Sequence, residues 1–292
     1  MQQFSGYRLS QQGFSLIELM ISLVLGLMIS GAIVQVLVSN QVTERLNRSM
    51  ASTQESGRFI MTRLRAELLT TGRYDPIDAN LERSVDVVSE ASFVKNHPII
   101  LPGDFANALD LGSLQGASGA NDTLVAGMQG GQDCRGYKLG YLGDQEFYVV
   151  NEYYVEDNKL KCRGFDGRVL RGQRAAVGNN GDAAFTLLDD VYGFQVVYGV
   201  SNSALTNNNS GRPVRYVTAN LLPAEIAGGS QVVAIQIAIL LKGEGEVYIE
   251  QVPTFKLLNE TEITPSDHGL YKQFETTISF RNVKNFLRST KV

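Results

Sequence analysis

An almost unbroken apolar run from Phe14 to Val38, interrupted by one carboxylate at Glu18, constrains this chain more than any other feature. At about 25 residues the run spans roughly 37 Å as an α-helix, enough to cross a bilayer. The helix is expected to go on. Beyond Val38, apolar or small residues recur at Val42, Leu46, Met50, Thr53, Gly57, Ile60, Leu64 and Leu68, in the steps of three and four that mark one helical face. Glu44, Arg45, Arg48, Glu55, Arg58, Arg63 and Glu67 fall mostly on other faces. Gly72 supplies a C-terminal stop, with Pro76 shortly beyond. One helix from Phe14 to Thr71 is therefore expected, roughly 87 Å long. Its first half needs an apolar surrounding and its second half a globular domain to lie on. Gly26 and Gly31 are places where the first half can bend.

The order of segments narrows the function. Thirteen mostly polar residues precede the run, with Arg8 as their only charged side chain. A secretory signal peptide has its apolar region ahead of the cleavage site. Here a cut after Gly13 leaves the apolar segment on the mature chain. The stretch Gly13-Phe14-Ser15-Leu16-Ile17-Glu18 resembles the class III signal of type IV prepilins and related pseudopilins. That resemblance implies cleavage between Gly13 and Phe14 by a membrane prepilin peptidase and N-methylation of Phe14. It also implies that Glu18 serves subunit assembly, meeting the N-terminal amine of a neighbouring subunit. The physics agrees: a carboxylate at the centre of an apolar span costs about 2.5–3.5 kcal/mol, so it needs a partner. The plainer alternative is an acid near the headgroups of an ordinary signal anchor. Arg8 is expected on the cytoplasmic side of the inner membrane, which places everything after Gln41 outside, in the periplasm.

The rest of the chain reads as strands. With 292 residues, 43% hydrophobic and 19% charged, it can bury the core of one or two domains. A net charge of −4 gives no global footprint for nucleic acid. Glu146–Glu156 is rich in aromatic and β-branched residues, and Asp157-Asn158-Lys159 turns the chain into Leu160–Phe165, a hairpin. Val191–Val200, Val214–Thr218, Val232–Lys242 and Phe274–Phe280 are further strands, with Val232–Lys242 the central one. Ser201–Arg212 is a long polar loop, Gly112–Ala120 and Gly178–Gly181 are flexible connections, and a short basic tail carries Arg288 and Lys291. The expected class is α+β: a long N-terminal helix, the pilin stalk, packed on an antiparallel sheet, with a second small sheet drawn from Asp122–Leu170. The expected divisions are a leader over 1–13, a membrane or filament-core half-helix over 14–38, a periplasmic half-helix over 39–72, and a β-rich domain over 73–292.

Other segments sharpen the likeness. Gln54–Tyr74 (QESGRFIMTRLRAELLTTGRY) resembles the helix end of PilW-type minor pilins. Asn121–Gly136 and Leu160-Lys161-Cys162 are similar to that family's cysteine-bearing segments. Asp189–Val200, Arg215–Leu221 and Val232–Lys242 resemble its late strand block, and Phe274–Asn282 its close. The resemblance implies a non-enzymatic minor pilin that helps start or cap a type IV pilus, in a tip or priming complex. Its implied partners are other minor pilins, the major pilin and a PilY-type tip adhesin, with twitching motility, adhesion or DNA uptake downstream. A J-type pseudopilin of type II secretion shares the signal and the stalk. A signal-anchored periplasmic enzyme or binding domain is the reading from another class.

Cys134 and Cys162 are the only cysteines. An exported domain matures in an oxidising compartment, so a disulfide is expected, stabilising by roughly 3–4 kcal/mol in the chain-entropy model. Two buried free thiols are the alternative. No cofactor and no metal are expected. The chain has no GxSxG, HExxH, P-loop or CxxC motif, and His97 and His268 stand in unlike loop contexts. Asp189 and Asp190 are a weak calcium pair without further spaced oxygen ligands. Lys159, Lys161, Arg163, Arg168, Arg171 and Arg174 form a basic strip opposed in sequence only by Asp166. A solvated hairpin edge is the first reading of that strip, docking to an acidic neighbour the second and DNA contact the last.

Overall fold

The computed structural model describes residues 13–117, 120–201, 212–245, 247–258 and 262–282. The leader ahead of Gly13, the loop over 202–211 and the basic tail with Arg288 and Lys291 lie outside them. The chain divides into two compact units, Met1–Arg48 and Ser49–Val292. Helix α1 runs Leu16–Leu68, 53 residues, slightly inside the span expected from periodicity.

Within the first unit every described residue from 13 to 45 is exposed. Among the described residues of this unit its apolar side chains are thus left uncovered. Within the second unit α1 buries Ser49, Thr53, Gly57, Ile60, Leu64 and Leu68. Spacings of four and three keep this stripe on one side. The expected stripe is thus met from Thr53 onward but not before it, since Val42 and Met50 are exposed and Ser49 takes the inward place. The helix gives way to turns after Leu68, and Gly72 stands at φ 71°, the left-handed conformation that glycine adopts without a Cβ penalty. Its N–H donates to Gly127 O at 2.9 Å, so the helix stop also ties the chain to a strand.

After α1 come α2 (Val87–Asn96), β1 (Leu124–Gly130), β2 (Phe147–Glu156), β3 (Lys159–Asp166), the one-turn α3 (Gly167–Leu170), β4 (Phe185–Leu188), β5 (Val191–Val200), β6 (Arg215–Val217), α4 (Leu222–Ala227), β7 (Val232–Lys242), β8 (Phe255–Lys256), β9 (Glu262–Ile263) and β10 (Tyr271–Ser279). The strands make two four-stranded antiparallel sheets, ordered β1-β2-β3-β4 and β10-β7-β5-β6, and a β8-β9 pair. This is the expected α+β arrangement. The sheet built from the middle of the chain has four strands and takes in β4, beyond the Leu170 limit set from sequence. β2 and β3 join through Asp157 and Asn158, both at positive φ, the two-residue turn whose twist matches the flanking strands.

One core cluster joins Ile60, Leu64 and Leu68 of α1 to Leu124, Phe147 and Val149 of the first sheet and to Phe194, Ile237 and Ile278 of the second. The other face of the first sheet has its own cluster, where Val125, Tyr148 and Val150 meet Ala91 and Val94 of α2 and Phe105. Because both faces are covered, β2 is buried from Phe147 to Tyr153 and shows no polar alternation. Each large side chain so buried contributes about 1.5–3 kcal/mol. Asp86 starts α2 as its N-cap, accepting from the backbone N–H of Val88 at 3.0 Å and of Ser89 at 3.2 Å.

Candidate functional site

The described part of the N-terminal segment begins at Gly13. Ser15 caps α1, with its carbonyl accepting from Leu19 N–H at 3.2 Å. Glu18 sits three positions into the helix and reaches back, its Oε2 accepting from Ser15 N–H at 3.3 Å. Serine followed three residues later by glutamate is the capping-box spacing. The glutamate therefore has a local duty in the single chain, satisfying a helix-end donor with a loose bond. It remains exposed, as do Phe14 and the apolar side chains behind it. Among the described residues, α1 is the one helix long and apolar enough to cross a membrane. A surface that is apolar all round over this length needs lipid or other helices about it.

Cys134 and Cys162 are joined, with Cα atoms 6.4 Å apart. The bridge fastens the loop after β1 to β3, and polar contacts carry it to α1. Cys134 N–H donates to Asn151 Oδ1 at 3.0 Å, and its carbonyl accepts from Arg63 Nη2 at 2.9 Å. Arg63 Nε donates to Glu67 Oε1 at 2.9 Å, and Tyr153 OH donates to Glu67 Oε2 at 2.6 Å. Burial first, and then the Glu67 charge, pushes the Tyr153 hydroxyl well up, so it stays a proton donor. The last turns of α1 are thus pinned to the first sheet beside a groove of about 620 Å³ whose lining includes Arg63, Glu67, Met128, Gln129, Asn151 and Phe185.

The six cations of the basic strip do not share one free face. Lys159 pairs with Asp189 at 2.7 Å, Lys161 with Glu156 at 2.6 Å and Arg163 with Glu152 at 2.7 Å, along the hairpin. Arg168 is fully buried. Its guanidinium binds Glu90 of α2, at 2.9 Å from Nη2, and Glu82, and its Nη2 also donates to the Glu82 carbonyl at 2.8 Å. Arg171 lies over the Phe93 ring, 4.4 Å from its centroid, and Arg174 over Tyr141 at 4.0 Å. The strip is therefore neither a solvated edge nor a continuous docking surface. Its second half folds inward as α3, onto acids that come from the segment between α1 and β1. The sequence signal for this was available in Asp86 followed by Glu90, a cap and an inward acid.

Tyr74 and Tyr141 close the cluster. Tyr74 OH bonds Glu90, and Tyr141 OH donates to Asp166 Oδ2 at 2.9 Å. Burial and the adjacent Asp166 charge push the Tyr141 hydroxyl up to about 12. Burial raises the Asp166 carboxyl as well, against the pull of its hydrogen bonds to Arg168 N–H and Tyr141 and of the nearby Arg174 and Arg168 charges. These groups satisfy one another and fasten α2 and the segment before it to the end of β3 and to α3. His97 Nδ1 lies 3.0 Å from Phe93 O, and His268 Nδ1 lies 2.8 Å from Ile249 O. Asp190 turns the chain at φ 58°, and its carbonyl accepts from Lys242 N–H at 2.9 Å. Among the described residues no three His, Cys, Asp or Glu side chains gather in a way that would hold a metal.

Comparison with known proteins bears on the same two regions. The sequence model for "Type IV Pilus-assembly protein W" matches residues 146–282, from the start of β2 to the last described residue. The model for the "Prokaryotic N-terminal methylation motif" matches residues 8–34, which contain Gly13, Phe14 and Glu18. No curated protein matches the chain. Among solved structures, a type IV-like pilin from Thermus thermophilus is 15% identical with a TM-score of 0.40, over 79% of this chain and 98% of that one. The two sequence matches together support a pilin of the PilW type that carries a prepilin signal at its N-terminus.

Proposed function

We propose that this chain is a minor pilin that takes part in initiating and assembling a type IV pilus, within a tip or priming complex. The observation that carries the reading is the wholly exposed apolar length of α1, starting directly behind the Gly13–Phe14 junction. Prepilin peptidase cuts at that junction and Phe14 is N-methylated. Before assembly the segment is held by the inner membrane with the second unit in the periplasm. In the filament, lateral packing against other apolar helices replaces lipid, and Glu18 exchanges its loose local bond for the amine of a neighbouring subunit. The partners are other minor pilins, the major pilin and a PilY-type tip adhesin. Twitching motility, adhesion or DNA uptake then follow from the assembled fibre, and direct DNA contact by this subunit is a lesser role.

Mass spectrometry of the mature N-terminus, from membranes and from sheared surface pili, tests this. A methylated Phe14 recovered in both fractions is the expected result. Recovery from membranes alone would move the chain to a secretion-system pseudopilin of the J type. An uncut Met1 would turn the apolar run into a plain anchor and return an enzyme or binding domain to the front.

A further inference from the structure

We propose that the outer edge of β10 is a strand-addition site, completed by an extended segment of a different polypeptide that carries lysine or arginine opposite Glu275. The second sheet ends at β10, which pairs with β7 alone among the described strands. Phe280 N–H donates to Val233 O at 2.9 Å, and Gly243 N–H donates to Leu270 O at 2.7 Å. In an antiparallel ladder, residues that exchange bonds with one neighbour alternate with residues facing away from it. With Thr276 opposite Ile237 and Phe274 opposite Ile239, the even-numbered residues face β7. The backbone groups of Gln273, Glu275, Thr277 and Ser279 therefore point outward. One of them is engaged among the described residues, Thr277 O, by Arg65 Nη1 at 3.4 Å.

The other sheet edges are guarded in ways β10 is not. On β1, Gly127 N–H donates to Pro98 O at 3.0 Å and Gln129 N–H to Arg73 O at 2.8 Å. β6 is three residues long. β4 has four residues and a register shift in its pairing. β10 is nine residues, has no proline, and keeps an unbroken register with β7. Proline, bulges, shortness and edge lysines are the usual protections of an exposed edge. The lysine of this strand, Lys272, lies over the Phe274 ring at 5.8 Å and so leaves the edge clear.

Charge selects the occupant. Glu275 is exposed, and its carboxylate accepts from Gln273 Nε2 at 2.5 Å, with no cation in reach among the described residues. A second copy adding antiparallel along the full edge would set Glu275 opposite or diagonal to itself, which like charges disfavour. A cation-bearing strand from another chain gains both the main-chain bonds and a cross-strand ion pair. The inference rests on the assembly reading only for where that partner is met.

The test places a photo-cross-linking residue at Gln273, and separately at Thr277, in the full-length chain within the cells that make it. After irradiation, the cross-linked peptides from membranes and sheared pili are sequenced. The expected result is one extended segment of another protein, captured from both positions, with a lysine or arginine between the two points. Glu275→Lys then lowers the yield tenfold or more, and changing the sequenced cation to glutamate restores it. Thr277→Pro does the same by removing an outward N–H that makes no bond to β7. Cross-links into residues 283–292 of the same chain, into a second copy, or into nothing while the melting temperature is unchanged would each overturn the proposal. A methylated Phe14 without the cross-link sinks strand addition and leaves the assembly reading standing, and an unprocessed N-terminus with the mapped cross-link does the reverse.

Discussion

Gly57 of α1 lies directly beneath the ring of Phe274 in β10, so near that a Cβ at position 57 would overlap the ring carbons. The absence of a side chain is what lets the helix settle on the edge of the second sheet. Glycine within a helix costs about 1 kcal/mol relative to alanine, and the close approach returns that cost as aromatic burial. Gly57→Ala is expected to destabilise the domain by about 1–3 kcal/mol despite the better helix propensity. Urea unfolding would check this, and a stability equal to or above wild type would show that Phe274 swings aside freely.

The Arg168–Glu90 pair predicts a larger loss. Both side chains are 0% exposed, so Arg168→Met strands a buried carboxylate and should cost about 3–5 kcal/mol. Glu82, on the rim of the same cluster, adds a pH dependence. Burial pushes its carboxyl up, but hydrogen bonds from Ser84 and the Arg168 charge outweigh this and hold it below its ordinary value of 4.5. A depressed folded-state value gives stability that is present above the ordinary value and lost as the pH falls through the lower one. Melting curves taken downward from pH 6 should therefore fall more steeply for wild type than for Glu82→Gln, and parallel curves would remove Glu82 from the account.

The disulfide acts on the helix as well as on the loop it closes. Reduction, or Cys134→Ser with Cys162→Ser, should lower stability by about 2–5 kcal/mol. It should also loosen Arg63, which holds the Cys134 carbonyl. Hydrogen exchange of the last two turns of α1, with and without reductant, reads the second effect separately from the melting temperature. Unchanged melting and unchanged exchange would leave the bridge without consequence.

Glu18→Ala should leave the cut after Gly13 intact and impair entry into filaments. The single chain loses one 3.3 Å capping bond, worth about 1 kcal/mol or less at an exposed helix start. That is too little to prevent α1 from forming. Normal recovery of the variant in sheared pili would show that Glu18 has no part in assembly.

How far the fold could be read from residues depends on what each segment is buried against. β7 was readable to the residue, because Val232–Lys242 is apolar throughout and central in its sheet. The Asp157–Asn158 turn was readable because few residue pairs accept two positive φ values in succession. α2 escaped because it is ten residues long, opens with Val87 and Val88, and owes its place to packing on Tyr148 and Val150. β4 escaped for the related reason that four residues carry too little periodicity. In the segment that matches the N-terminal methylation motif, Gly13, Phe14 and Glu18 stood out through their resemblance to a prepilin signal, supported by the order of the polar and apolar segments. The inward turn of Arg168 did not, since its partners Glu82 and Glu90 lie 86 and 78 residues away, and sequence shows a cation's neighbours along the chain rather than across it.

Asn282 Nδ2 donates to the carbonyls of Leu69 at 3.2 Å and Thr71 at 3.3 Å, the second 211 and the first 213 positions upstream. Those carbonyls lie in the turns just after α1, and Ile278 and Phe280 fill the core beneath the helix. In time rather than in space, the first element to leave the ribosome is among the last to be closed. Until residue 282 has been made, the stripe from Ile60 to Leu68 lacks the part of its core that Ile278 and Phe280 supply, and a stalled or shortened chain presents it to proteases. Completion of the chain thereby becomes the condition for a closed, protease-resistant domain.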